Sequence, residues 1–292
     1  MKRKSVLWLL KTAARLPWWM FYGLSDIVSF LLYHLVRYRR SLTRRNLTES
    51  FPDKSIKEIK RIERAYYRNM SDIMVETIKM LHISDKEMAR RAKVIDTHIV
   101  NRSLECGRSA VVFLGHYGNW EWVQEISRTL SDRAVHGSIY HRMDSPLWDD
   151  IFLTLRSRWG AVLVPQQKAV RTLLDKSNQP WVFGFIADHR PNWGDLHNWT
   201  MFLNHDTPFV NGPEAIGSKV DADFFYLDVR RIKRGHYTMT FRRLEPLTDG
   251  LPYPYTRAFW QEFEKTIRED PPYWLWSHNR WAFTRDESHN RR

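Results

Sequence analysis

Cysteine is almost absent from this chain: Cys106 is the only one in 292 residues. A single cysteine excludes an internal disulfide, which fits a reducing compartment and also fits bacterial envelope proteins that lack disulfides. Internal repeats and low-complexity linkers are missing as well. We therefore expect one large domain rather than a repeat array or a string of linked domains.

Signatures of nucleic-acid binding are also missing. The sequence contains no helix-turn-helix, RNA-binding or zinc-finger pattern, and its aromatic residues fall in apolar runs rather than among basic residues. Acidic residues are outnumbered, 33 against 46 lysines and arginines, which gives a formal net charge of +13. This charge indicates an anionic partner. Nucleic acid, an acidic protein and a phosphate-bearing membrane surface all fit it, and a non-enzymatic binding protein stays open on charge alone.

The histidines form no recognised metal-binding pattern. A metal-dependent hydrolase stays open as an alternative because several of them lie in the middle of the chain: His116, His136, His141, His189, His197 and His205. Their spacings fit no helical ligand motif such as H-E-x-x-H. We expect no metal and no cofactor.

The longest mostly apolar stretch runs from residue 16 to residue 36. Its length matches the roughly 20 residues that a membrane-crossing helix needs. Asp26 and His34 interrupt it, and a charge at mid-membrane would cost several kcal/mol. A span, a tilted or partly inserted helix, a helix buried in a dimer and a buried core helix all remain open. Basic residues on both sides suit anionic headgroups but give no clear orientation. No small-residue cleavage site follows, so a cleaved signal peptide is not expected.

Short apolar runs alternate with helical patterns in the rest of the chain. The runs occupy residues 110–114, 134–140, 161–164 and 181–187. This alternation predicts an α/β fold with a mixed, mostly parallel sheet that begins near Ala110 and has helices on both faces. Two runs flanking residues 233–235 predict a late antiparallel hairpin. Residues 192–211 are predicted to form an irregular loop.

The clearest predicted helices carry their own start and stop signals. A capping box at Ser55 and Glu58 opens a long amphipathic helix. A second helix has Ser145 as cap, Pro146 at its first position and Gly160 as stop signal. We divide the chain into a membrane-associated helix at residues 1–40 and a second domain at residues 41–292.

A histidine and a glutamate follow the first predicted strand. His116 and Glu121 lie five residues apart, which would place them about 140° apart on one continuous helix. A strand-to-helix turn, loosened by Gly115 and Gly118 and ended by Asn119 as a helix cap, brings them together. Glu121 could then accept a hydrogen bond from one ring nitrogen of His116 and leave the other free as a general base. The alternative is a polar turn that only satisfies a helix start.

Five segments in order carry a more specific pattern. They read "LVRYRRSLTRRNLTESFPD" from residue 35, "GHYGNWEW" from 115, "RSRWGAVLVP" from 156, "FGFIADHRP" from 183 and "PPYWLWSHNRW" from 271. These segments resemble the motifs of bacterial lipid A secondary acyltransferases, which transfer lauroyl or myristoyl groups and are similar to glycerolipid acyltransferases. Arg45 and Asn46 occupy matching places in the first segment. The likeness covers nearly the whole chain.

The resemblance implies a glycerolipid-acyltransferase-like αβα sandwich with an N-terminal membrane helix. It implies transfer of a fatty acyl group from acyl carrier protein, or from coenzyme A, to a hydroxyl of a lipid A precursor, with another glycolipid or an aminolipid as alternative acceptor. His116 would be the base, Glu121 its orienting partner and Arg156 the donor to the oxyanion. A surface arginine at a helix end is the alternative for Arg156. Substrate-binding residues would be Asn119, Trp120, Arg142, Asp188, His278 and Arg280.

The same resemblance implies a place for the protein and a set of partners. We expect it at the bacterial inner membrane with its catalytic domain on the cytoplasmic face, bound to anionic lipid and not to nucleic acid. Two departures from the family pattern bear on acceptor and chain length. His189 stands where the family commonly has glutamine, and residues 201–204 read "MFLN" instead of an aromatic-rich turn that ends in glycine.

Overall fold

The structure, a computed structural model, describes residues 2–175 and 179–285. The α-helices within them are α1 Lys2–Ala13, α2 Trp18–Phe30, α3 Arg40–Ser50, α4 Ile56–Lys79, α5 Asp85–Arg91, α6 Thr97–Glu105, α7 Pro146–Arg156, α8 Ala169–Asp175, α9 Gly212–Lys219 and α10 Pro254–Glu269. The strands are β1 Ala92–Ile95, β2 Ala110–Leu114, β3 Val135–Tyr140, β4 Val162–Pro165, β5 Trp181–Ile186, β6 Asn198–Phe202, β7 His205–Phe209, β8 Asp223–Lys233 and β9 His236–Arg243.

Seven strands form one sheet in the order β1-β9-β8-β2-β5-β3-β4. Every pairing is parallel except that of β8 with β9. The predicted mostly parallel sheet and its late hairpin are therefore confirmed. The sheet does not begin at Ala110, however, because β1 pairs with β9 at one edge. A strand of four residues directly after a helix is too short to show a period in sequence.

The predicted irregular loop at residues 192–211 is wrong. A short 3₁₀ turn at Trp193–Asp195 is followed by the antiparallel hairpin of β6 and β7. Its two turn residues, Leu203 and Asn204, have φ values of 50° and 66°. Two-residue hairpins need such positive φ values, which asparagine adopts readily and leucine seldom does. The side chain of Leu203 is fully buried, and its packing stabilises the turn. Because this packing is tertiary, the local sequence does not indicate a hairpin here.

Helical layers cover both faces of the sheet. Val111 and Phe113 of β2 point into the core cluster that includes α4, α9 and α10. Ala110, Val112 and Leu114 point into the other cluster, which contains Leu104 of α6 and Leu155 of α7. Alternate residues of a strand face opposite sides of a sheet, so a central strand buried along its whole length requires both layers.

The apolar segment near the amino terminus packs against α4 rather than forming one straight span. After α2 it continues as a π-helix at Leu31–Leu35, a form often found at functional sites. No single helix among the described residues is long and apolar enough to cross a membrane. Together, Trp18–Leu35 and Arg40–Ser50, bent by 88°, satisfy those criteria.

Ion pairs cross the predicted domain boundary at residue 40. Asp26 of α2, which weakened the case for a membrane span, lies 2.8 Å from Arg234 and 3.3 Å from Arg68. Burial would raise the Asp26 pKa, but the hydrogen bond and the charge of Arg234 outweigh it and lower the pKa. The carboxylate is thus held charged at the edge of α2. The boundary itself stays a prediction.

Two buried carboxylates on α4 bind the other parts of the structure. Asp72 accepts hydrogen bonds from Ser25 of α2 at 2.6 Å and from Arg231 and Arg234 of the β8–β9 hairpin. Glu76 lies one helical turn further on the same face. Its donors are Tyr22 of α2 at 3.1 Å, Asn119 at 2.7 Å and Tyr237 of β9 at 2.8 Å. Neither carboxylate is exposed to solvent.

Glu76 generates a prediction about stability and pH. Burial, with the nearby charge of Asp72, raises its pKa to about 7. Between the ordinary pKa near 4.3 and pH 7 the folded chain therefore holds a proton that the unfolded chain has lost. The free energy of unfolding attributable to Glu76 falls as pH rises through this window and is constant above it. As pH rises from 4 to 8, we expect the free energy of unfolding of Glu76→Gln to increase by about 3 kcal/mol relative to that of the wild type.

Urea unfolding of both proteins at several pH values measures this difference. Subtracting the two curves removes the groups that they share, such as the buried histidines. A difference that does not change with pH would contradict the assignment of the raised pKa to Glu76.

Candidate active site

His116 lies on a tight turn directly after β2. A Cβ on Gly115 would lie 2.1 Å from the ring of Phe263 on α10, so only glycine fits there. Gly118 has φ +61°, where a Cβ would lie 2.9 Å from Val229. The segment from Pro271 to Trp281 binds the turn. The carbonyl of His116 accepts from the Leu275 amide at 3.1 Å, and the Gly118 amide donates to the Tyr273 carbonyl at 3.0 Å.

Asp188 is the residue that holds His116. Its Oδ1 lies 2.7 Å from Nδ1 of His116, and its Oδ2 accepts from the His116 backbone amide at 3.0 Å. The parallel register explains this meeting. Leu114 and Ile186 are paired at the ends of β2 and β5, and His116 and Asp188 each follow two residues later. The carboxyl ends of neighbouring parallel strands form the usual ligand crevice of such sheets.

Glu121 does not contact the His116 ring as predicted. It precedes the 3₁₀ helix Trp122–Arg128 and accepts two hydrogen bonds from Arg156, from Nε at 2.9 Å and from Nη2 at 2.7 Å. The prediction that Glu121 accepts a hydrogen bond from the His116 ring is therefore wrong, because the acceptor is Asp188. A carboxylate five residues away and one 72 residues away are equally good partners for an imidazole, and sequence spacing favoured the nearer one.

Asp188 is buried and charged. Its side chain is 3% exposed, and Oδ2 also accepts from the indole of Trp274 at 2.9 Å. Burial by itself would raise the pKa of Asp188. The charge and hydrogen bond of His116, followed by His189 and Trp274, outweigh burial and hold the pKa well below its ordinary value. A charged carboxylate accepts a hydrogen bond from a protonated Nδ1. The other ring nitrogen, Nε2, is then left as the proton acceptor.

Three histidine rings are stacked edge to face beside this carboxylate. The centroid of His189 lies 4.7 Å from that of His116 and 5.3 Å from that of His278. Burial lowers the pKa of both His189 and His278 to about 4. Both are therefore neutral near pH 7, and Asp188 remains the negative group next to His116. His278 Nε2 is buried without a hydrogen-bond partner in the described part of the chain.

Arg156 and Glu121 form a partly buried pair at the end of α7. Burial would lower the pKa of Arg156, but the charge and hydrogen bonds of Glu121 outweigh it and raise the pKa. The Glu121 side chain is 7% exposed and that of Arg156 is 22% exposed. The planar guanidinium is thus fixed by a two-point contact. Trp120, adjacent to Glu121, packs edge to face on His116 with ring centroids 5.2 Å apart.

The remaining predicted substrate-binding residues differ in their surroundings. Asn119 accepts from the Trp122 amide at 3.2 Å and donates to Glu76, but the 3₁₀ helix that follows has Glu121 rather than the predicted Asn119 at its N-cap. Arg280 is fully buried, bonded to the Pro208 carbonyl, with its Nε and Nη1 unpartnered in the described residues. Arg142 is exposed on the loop between β3 and α7 and is not brought into contact with His116.

The first sequence motif, on α3, contacts the closing segment rather than the His116–Asp188 pair itself. Asn46 of α3 donates to the carbonyls of Trp276 at 3.0 Å and His278 at 3.1 Å. It therefore fixes the closing segment, which in turn carries Trp274 onto Asp188. Arg45 is exposed. Sequence reasoning missed Trp274 and His189 as neighbours of the pair, although the motif match and the noted departure after Asp188 marked both positions.

The other central histidines do not converge on a metal site. Both ring nitrogens of His136 lie near backbone carbonyls, of Ser127 at 3.0 Å and of Ser131 at 2.9 Å. In residues 2–175 and 179–285 no group of three or more His, Cys, Asp or Glu side chains is arranged to hold a metal ion.

Comparison with known proteins supplies the family. A search of curated proteins finds no match to the chain. The family model of bacterial lipid A biosynthesis acyltransferases matches residues 5–282. This match includes all five sequence motifs and both strands that carry the His116–Asp188 pair. The chain therefore belongs to the bacterial lipid A biosynthesis acyltransferase family, and is an enzyme that transfers acyl groups.

Proposed function

We propose that this enzyme transfers a fatty acyl group from the thioester of acyl carrier protein to a hydroxyl of a lipid A precursor, with His116 as general base and Asp188 as its orienting partner. The contact of 2.7 Å between Nδ1 of His116 and Oδ1 of Asp188 carries the proposal. The assay is mass spectrometry of the lipid product, with acyl carrier protein and coenzyme A thioesters compared as donors.

The pair supports direct transfer. Nε2 of His116 takes the proton of the acceptor hydroxyl as its oxygen attacks the thioester carbonyl, and later returns a proton to the departing thiolate. Asp188 holds the tautomer and compensates the imidazolium charge, as the carboxylate does in hydrolase triads. No acyl-enzyme is needed, because the acceptor oxygen is itself the nucleophile. This arrangement replaces the histidine–glutamate pair expected from sequence.

Arg156 is our candidate for the donor that stabilises the oxyanion. Glu121 occupies its Nε and one hydrogen of Nη2, and a guanidinium has five N–H donors in all. The Nη1 group is therefore available to a substrate. Because Glu121 holds the guanidinium in one orientation, little reorganisation accompanies charge development in the transition state.

An apolar surface on the amino-terminal helices supports membrane attachment. Large side chains there are exposed, among them Trp19 at 74%, Ile27 at 58% and Leu35 at 66%. A contiguous apolar surface with basic flanks is typical of helices that insert into a lipid interface. We place the enzyme on the cytoplasmic face of the bacterial inner membrane, where the positive surface attracts acidic acyl carrier protein and anionic lipid.

We predict that His116→Ala lowers turnover about 10³-fold, the range typical of a lost general base. Asp188→Asn should also lower turnover severely, because the neutral amide no longer stabilises the imidazolium. Turnover per folded molecule is measured with both substrates saturating. His98→Ala, which removes an exposed histidine, is the matched control and should behave as wild type. If His116→Ala retained more than about one tenth of turnover, the general-base assignment would be wrong.

We predict that Arg156→Ala lowers turnover about 100-fold, as expected for loss of one oxyanion donor. The turnover of Arg156→Lys should be little higher than that of Arg156→Ala, because the point charge of lysine does not reproduce the planar guanidinium fork. The double variant Glu121→Ala/Arg156→Ala controls for the buried carboxylate that a single change leaves unpaired. It should unfold at a higher temperature than Arg156→Ala and remain slow. A raised KM with unchanged turnover would instead make Arg156 a ground-state binding residue.

We predict that Trp19→Asp/Ile27→Asp weakens binding to anionic vesicles by about tenfold or more, because two apolar contacts with lipid are lost. Vesicle cosedimentation measures the effect. Ile56→Asp/Met201→Asp is the control, since these side chains are 56% and 67% exposed outside the amino-terminal helices. Equal loss in the two double variants would argue against insertion of this surface.

A further inference from the structure

A basic cleft lies between α2, the π-helix, α4 and the turn of the β8–β9 hairpin. Its volume is about 560 Å³. Five cationic side chains line it: Arg64, Arg68, Arg231, Lys233 and Arg234. Asp26 is the carboxylate in its lining, and Asp72 lies behind, bonded to the hairpin arginines. Counting both carboxylates, the cleft keeps an excess of three positive charges.

Three of these cations are paired with carboxylates, and two make no ion pair in the described residues. Arg231 donates to Asn69 and Asp72 and lies 5.5 Å over the ring of Tyr273. Arg234 binds Asp26 and Asp72 together. Arg68 lies 3.3 Å from Asp26, and its side chain is 63% exposed. Arg64 and Lys233 are exposed and make no hydrogen bond or ion pair with other side chains in the described residues. Arginines held by carboxylates, with Arg64 and Lys233 unpaired beside them in the described residues, suit an oxyanion of high charge.

Exposed apolar side chains accompany these cations. Phe30 lines the cleft and is 56% exposed. Ile232 is outside the lining but lies between Arg231 and Lys233 on the hairpin, and it is 65% exposed. Exposed apolar side chains continue along α2 and the π-helix through Leu31 and Leu35. Cations with exposed hydrocarbon beside them match a ligand that has a charged headgroup and an apolar body.

We propose that this cleft binds the phosphate monoester headgroup of a membrane lipid. The cations surround the phosphate, and Phe30 contacts the apolar part of the lipid. Tyr273 joins the cleft to the candidate active site, since its carbonyl binds Gly118 and the next residue, Trp274, binds Asp188. The lining includes neither His116 nor Asp188. Binding can therefore be tested without an acyl-transfer assay, and its failure would leave the proposed chemistry untouched.

The test compares the full chain on two kinds of phosphatidylcholine vesicle matched in surface charge. One contains phosphatidic acid, a phosphate monoester, and the other phosphatidylglycerol, a diester. We expect about tenfold tighter binding to phosphatidic acid. Arg64→Gln/Lys233→Gln should abolish this preference and keep the thermal unfolding temperature. The control Lys93→Gln/Arg102→Gln removes two exposed charges elsewhere and should keep the preference.

Two outcomes would overturn the proposal: no preference in the wild type, or equal loss of preference in both double variants. Calorimetry with inorganic phosphate separates the lipid from a soluble anion. We expect phosphate alone to bind weakly and to compete with phosphatidic acid vesicles. Tight phosphate binding that Arg64→Gln/Lys233→Gln removes, without any vesicle preference, would assign the cleft to a free anion and refute the lipid headgroup.

Discussion

Two buried carboxylates one turn apart on α4 are the constraint on which the rest of the structure depends. Asp72 and Glu76 together bind α2, the β8–β9 hairpin and the turn that carries His116. A buried carboxylate without donors is costly, so the packed helix depends on the donors that each of these parts supplies. The amino-terminal helices and the turn that carries His116 are thereby joined through one helix as well as through the covalent chain between them.

The candidate active site depends on the parallel sheet for its geometry. His116 and Asp188 come from equivalent positions beyond two hydrogen-bonded strands, and the closing segment supplies the indole of Trp274 to complete the carboxylate's hydrogen bonds. Burial alone would raise the pKa of Asp188, but three hydrogen-bond donors and the charge of His116 outweigh it and keep Asp188 charged. The same burial keeps His189 and His278 neutral, so the negative charge serves His116.

Patterns that repeat along the chain predicted most of the fold, and contacts distant in sequence explain what they missed. The strand at 110–114, the capping box at Ser55 and the late hairpin all carry local signals, and the structure has each of them. The turn at Leu203 depends on burial, and β1 depends on a neighbouring strand. His116 was identified from its motif, but its partner was misassigned, because sequence shows that Glu121 and Asp188 are acidic without showing which strand ends lie side by side.

The equal height of His116 and Asp188 above their strands has a consequence for how such an enzyme can diversify. Their separation follows from the spacing of about 4.8 Å between adjacent strands, and this spacing is the same whatever connects the strands. The β6–β7 hairpin and the loop between β3 and α7 can therefore change in length and composition while the His116–Asp188 pair keeps its alignment. Related sequences can therefore remodel these two segments without renewed selection on the alignment of His116 with Asp188.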